Sequence, residues 1–99
     1  MMVTINADEL IRFSRTLENE KLKALSRRKT FTVKVTNVGL EFTPLSTSIS
    51  RKHPVKWLDR VCKEFSRTNS FHPSDYANIT ANASHVLAII FRYLKNDPD

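Results

Sequence analysis

Hydrophobic residues change their spacing twice along this chain. Leu10, Phe13 and Leu17 fall on one face at helical intervals, and Asn6 with Glu9 three residues later forms a partial capping box ahead of them. Asp8 and Glu9 stand where the positive end of a helix favours acid. The spacing predicts a first helix over about 7–25, although Leu22 and Leu25 lie on a rotated face, so a break near Asn19 also fits. From Phe31 the period becomes two. Phe31, Val33 and Val35 alternate with Thr32, Lys34 and Thr36, and Leu40 and Phe42 alternate with Glu41 and Thr43, as half-buried strands do. Between them Asn37-Val38-Gly39 holds the chain's single Gly, placed for positive φ in a three-residue hairpin loop.

Pro44 ends the second strand, and residues 45–50 form a hydroxyl-rich connection. Helical spacing then returns, predicting a second helix from Pro54, or up to three residues earlier, to about Ser66. From Ser74 onward Tyr76, Ile79, Ala83, Val86, Leu87, Ile90 and Leu94 recur at helical intervals, as one helix or as a short one and a long one. The order α-β-β-α-α describes a single α+β domain over 1–99, with an antiparallel β-hairpin packed on helices. A lone hairpin is marginal, so its edges must meet the helices or another chain, and a homodimer is one solution. Residues 86–91 are apolar nearly all round, which places that helix at the centre of the core or at a subunit interface.

Composition narrows the class. With 40% hydrophobic residues, 26% charged and one Gly in 99 residues, the chain fits one folded core rather than a disordered or repetitive polymer. No apolar run nears the roughly 20 residues of a membrane span, and residues 1–8 lack a basic segment followed by an apolar one, so no membrane association is expected. Cys62 is the only cysteine, which excludes an intrachain disulfide and a cysteine-built zinc site within one chain; a reducing, cytoplasmic setting is expected. The sequons Asn78-Ile79-Thr80 and Asn82-Ala83-Ser84 are read as chance occurrences in that setting.

Charge changes the picture most. Residues 1–20 carry a net −2 and residues 68–99 a net −1, whereas residues 21–67 carry twelve Lys or Arg against Glu41, Asp59 and Glu64, a net +9. Segmental basicity points to an anionic partner. On the second helix Lys56, Arg60, Lys63 and Arg67 share an arc of about 60°, opposite Val55, Leu58, Val61, Cys62 and Phe65. Such a row can track a phosphate backbone, though Asp59 before Lys63 and Glu64 after Arg60 also suit a solvated face. Arg51 and Lys52, with His53, stand at the predicted start of that helix, where its dipole disfavours cations and a bound anion would resolve the conflict, with hydroxyls from Ser48 or Ser50. Lys21, Lys23, Arg27, Arg28, Lys29 and Lys34 add a second cluster.

The expectation is therefore a non-catalytic nucleic-acid-binding protein, DNA before RNA, or a binder of another polyanion. Its contacts would be Arg51, Lys52, Lys56, Arg60, Lys63 and Arg67, with Arg27, Arg28 and Lys29. Trp57 lies on the shoulder of the second helix, more suited to packing than to base stacking. His53, His72 and His85 match no local metal spacing, no Gly-rich phosphate loop exists, and Cys62 sits on an apolar face, so neither metal nor cofactor nor catalysis is expected. The alternatives are a protein-interaction module, using the hairpin edge with Val38, Leu45 and Ile49 exposed nearby, or a small-ligand pocket lined by Trp57, Tyr76 and Phe91.

Overall fold

The capping box forms as its residues require. In a computed structural model, which describes residues 3–25 and 29–95, the Glu9 backbone N–H donates to Asn6 Oδ1 at 2.9 Å and the Asn6 amide returns a bond to Glu9 Oε1 at 3.1 Å. Helix α1 follows at Ala7–Arg15. It ends ten residues before the predicted limit of 25, because Ser14 Oγ donates back to the Leu10 carbonyl at 2.7 Å and Thr16 Oγ1 to the Phe13 carbonyl at 2.7 Å, side-chain bonds that compete with further helix. Leu17 stays in the core, and Leu22, on the rotated face, is buried instead as part of a short strand, β1, Leu22–Lys23.

β1 pairs antiparallel with β2, Thr30–Thr36, setting Leu22 opposite Phe31. β2 pairs with β3, Gly39–Pro44, from Phe31 opposite Pro44 to Thr36 opposite Gly39. The connecting loop is thus the two residues Asn37 and Val38, one shorter than predicted, with Thr36 Oγ1 accepting from the Val38 N–H and donating to the Gly39 carbonyl, each at 3.3 Å. A fourth strand, β4, Arg51–Pro54, pairs along β3 with Leu40 opposite His53 and Phe42 opposite Arg51. The sheet therefore has four antiparallel strands in sequential order, where a two-stranded hairpin was expected. The element order becomes α-β-β-β-β-α-α, still a single compact α+β architecture.

Helix α2, Val55–Thr68, begins directly after β4, and α3, Ala83–Lys95, follows a single 3₁₀ turn at Pro73–Tyr76, so the C-terminal segment is two pieces. Asn69 ends α2 in the left-handed conformation, as Asn tolerates, and its side chain binds both the Val3 N–H at 2.7 Å and the Val3 carbonyl at 3.0 Å. The helices cover one face of the sheet. Phe31, Val33, Leu40 and Phe42 point into them, and Val86, Leu87, Ala88, Ile89 and Ile90 of α3 are all buried, which makes α3 the central core helix. Thr32, Lys34, Glu41, Thr43 and Lys52 alternate onto the other, open face. Tyr76, fully buried, satisfies its hydroxyl on the Ser70 carbonyl at 2.7 Å.

Both sheet edges are guarded. Beyond short β1, the Val35 N–H of β2 donates to Glu18 Oε2 at 2.8 Å, and β4 carries Lys52 and ends at Pro54, which has no N–H to offer. The hairpin is flanked by its own chain on both sides, so the strand-pairing reason for expecting a second copy lapses. Gly39 is the tightest point. Its φ is +152°, and a Cβ there would lie 2.4 Å from the His53 carbonyl oxygen and 2.8 Å from the Val55 nitrogen, both rigid backbone atoms. Gly39→Ala is expected to cost about 3 kcal/mol of stability in urea titration, since β4 must move away from β3; a loss below about 0.5 kcal/mol would show that β4 does not pack there in solution.

Candidate anion-binding surfaces

The cations named from the sequence are exposed wherever the structure describes them, but they do not converge on one face. Arg27 and Arg28 lie outside the described residues. On α2 the row Lys56, Arg60, Lys63 and Arg67 is solvent-facing, opposite buried Leu58, Val61, Cys62 and Phe65. Its lower half is internally neutralised. Lys63 Nζ lies 3.2 Å from Asp59, and Arg67 clasps Glu64 with two bonds, at 3.1 and 2.6 Å, so Glu64 serves Arg67 rather than Arg60. The hydrogen bond from Arg67 holds the Glu64 carboxyl below its ordinary range.

The upper half is different. Lys56 and Arg60 form no ion pair among the described residues, and both stand over the Trp57 ring, 5.4 and 5.1 Å from its centroid. Trp57 is half-buried and already engaged by its own cations, which leaves it a packing residue and not an open stacking platform. Arg51 and Lys52 belong to strand β4, a correction to their predicted place on the helix terminus. The dipole conflict inferred for them disappears with that change. Pro54 instead precedes α2, and the Val55 N–H is taken by the Val38 carbonyl at 2.9 Å, so that terminus is partly capped by the hairpin turn.

Strand parity separates Arg51 from Lys52. Lys52 joins Lys34 and Glu41 in a cross-strand row on the open face, whereas Arg51 shares the side of Phe42 and reaches the end of the sheet facing α3. There it lines a 320 Å³ pocket with Lys29, His85, Ser46, Thr47 and Ser84. A third group, Lys21, Lys23 and Arg92, lines a 490 Å³ groove beside half-exposed Phe91, with Arg92 held by Glu20 at 2.9 Å. Of the three residues expected to line a small-ligand pocket, Phe91 is exposed and rests on Phe71, Trp57 lies beneath Lys56 and Arg60, and Tyr76 is fully buried.

Sequence spacing gave no hint that two histidines flank one core aromatic ring. Phe42 stacks on His85 at 5.4 Å and tilts against His53 at 5.7 Å, while Phe31 meets His85 edge-on at 4.6 Å. Burial, aided by His85, lowers the His53 pKa to about 4, and burial followed by the Arg51 charge lowers that of His85. Both rings are neutral near pH 7. Burial and Asp59 push the Cys62 thiol up to about 12, which makes it a poor nucleophile. Among the described residues no three His, Cys, Asp or Glu side chains gather to hold a metal, and no helix is long and apolar enough to cross a membrane. Comparison with protein-family models, curated proteins and solved structures finds no match to this chain.

The buried histidine has a pH consequence with a definite sign. Between pH 6.5 and about 4 the unfolded chain takes up a proton at His53 that the folded chain refuses, so this contribution to stability is complete above 6.5 and falls as pH drops to about 4. The loss is expected to be about 3 kcal/mol over that window, from the size of the shift. Urea unfolding at pH 7 and pH 4.5 should show it, and His53→Gln should flatten the slope; an equal slope in both proteins would remove His53 as the cause.

Proposed function

We propose that this protein binds the phosphate backbone of a nucleic-acid duplex, DNA before RNA, through Lys56 and Arg60 of α2 together with Lys52 of β4, without catalysis. The supporting observation is that these three cations are exposed and unpaired among the described residues, whereas Lys63 and Arg67 beside them are neutralised by Asp59 and Glu64. Lys56 and Arg60, four residues apart on the exposed side of α2, suit neighbouring phosphates. The open sheet face presents Thr, Lys and Glu and no aromatic ring among the described residues, which argues against recognition by stacking unpaired bases. The reading places the protein in the cytoplasm, where one buried thiol needs no partner.

A second reading has one observation in its favour. Val38, Leu45 and Ile49 are exposed at 53, 44 and 68%, as a protein-interaction surface would need. Its strand-template form is weakened by the guarded edges, so contact would run through the loops. A protein partner that survives nuclease treatment and is lost on Leu45→Ser with Ile49→Ser would favour it.

Duplex binding measured across salt concentrations separates the two. Three phosphate contacts predict a slope of log affinity on log salt near about −3, reduced by about 2 in the Lys56→Gln, Arg60→Gln double variant. Lys63→Gln with Arg67→Gln should change both affinity and slope little. A flat salt response, or no retention on heparin at low salt, would sink the duplex reading.

A further inference from the structure

We propose that the pocket between β4, the loop after β3 and the first turn of α3 is a binding site for a dianionic phosphate group, held by Lys29 and Arg51 with Ser46, Thr47, Ser84 and His85. The pocket has a volume of 320 Å³, at the small end of ligand sites, and room for a phosphate with little attached to it. Its lining brings together two cations from distant parts of the chain, three hydroxyls and an imidazole, with Ala24, Pro44 and Ala81 completing the wall, and no carboxylate among them. Each polar side chain in that inventory can donate a hydrogen bond, and two of them carry positive charge. A planar carboxylate could use the Arg51 fork alone, whereas three terminal oxygens with about two negative charges can engage the fork, the ammonium and the hydroxyls together.

Two further features of the pocket favour an anion. Neither Lys29 nor Arg51 forms an ion pair among the described residues, so two like charges line one small cavity without an acid between them. The local cost is visible at His85, which burial and then Arg51 keep neutral, and whose buried Nδ1 has no hydrogen-bond partner among the described residues. Ser84 and His85 also belong to the first turn of α3, which contains no acidic residue and so leaves the positive end of that helix uncompensated. A bound dianion would offset all three positive contributions at once.

The site stands apart from Lys52, Lys56 and Arg60, and takes Lys29 and Arg51 from the wider cation set. The phosphate could arrive free in solution or as the terminal monoester of a nucleic-acid strand. The two are told apart by titrating the full-length protein with inorganic phosphate at constant ionic strength, then with one oligonucleotide carrying either a 5′-phosphate or a 5′-hydroxyl, while following the Ser84 and His85 amides by NMR. Phosphate should move these resonances saturably where chloride does not, and Lys29→Gln should weaken binding about tenfold or more. Ser84→Ala serves as a second, smaller perturbation, and the dispersed amide spectrum of each variant verifies its fold.

If the 5′-phosphorylated strand displaces inorganic phosphate and the hydroxyl-ended strand does not, the site takes a strand end; if neither strand competes, it takes free phosphate or a small monoester. A linear, unsaturable response to inorganic phosphate, or one unchanged in both Lys29→Gln and Ser84→Ala, overturns the assignment. The Lys56→Gln, Arg60→Gln double variant keeps the two readings separate, since it should lose duplex binding and leave the phosphate titration intact.

Discussion

The missing side chain of Gly39 sets the course of half the molecule. With hydrogen in place of Cβ, the carbonyl of His53 can pass where a methyl group would sit 2.4 Å from it, and β4 zips along β3 in register. Once β4 is there, the next residue, Val55, has its N–H on the carbonyl of the hairpin turn at Val38, and α2 must start at that point. Everything basic in residues 51–67 is positioned by this one close approach. Arg51 and Lys52 become strand residues on opposite sides of a sheet instead of neighbours at a helix terminus, and the row on α2 inherits its orientation from the strand before it.

Local electrostatics then sort the cations. Lys63 and Arg67 have acids three or four residues away on the same helix and use them, at little net energy because both pairs are open to solvent. Asp59 and Glu64, three and four residues from Lys56 and Arg60, are taken by Lys63 and Arg67, and Lys56 and Arg60 instead set their charged groups over the Trp57 ring. Arg51 and Lys29 meet at the far end of the sheet around a histidine that the core has already made unwilling to ionise. A single net charge of +6 thus resolves into surfaces of quite different character.

The core shows the same division of labour between polar and apolar demands. Phe42 lies between two neutral histidines, and Phe31 meets one of them edge-on, so the inner face of β2 and β3 is tied to both β4 and α3 through aromatic contact. Those imidazoles pack as aromatic bodies because burial removes their charge. The α3 residues Val86 to Ile90 close this layer from behind, and the Asn69 side chain fastens the backbone at Val3, ahead of α1, to the end of α2.

The sequence alone determined those features whose physics is local. The capping box at Asn6 and Glu9, the alternation of Phe31 to Val35 and Leu40 to Phe42, the buried character of α3 and the amphipathic row on α2 each follow from spacing within a few residues, and each is present. Tertiary structure decided the rest. Leu22 and Lys23 offer too short a pattern to read as a strand, and Arg51-Lys52-His53-Pro54 has only His53 in the core and no β-branched residue, so neither edge strand was legible before its partner was placed. The meeting of Lys29 with Arg51 and His85 depends on chain segments more than twenty residues apart in sequence. No periodicity carries that information, because it arises only when the sheet register and the seat of α3 bring the segments to one point in space.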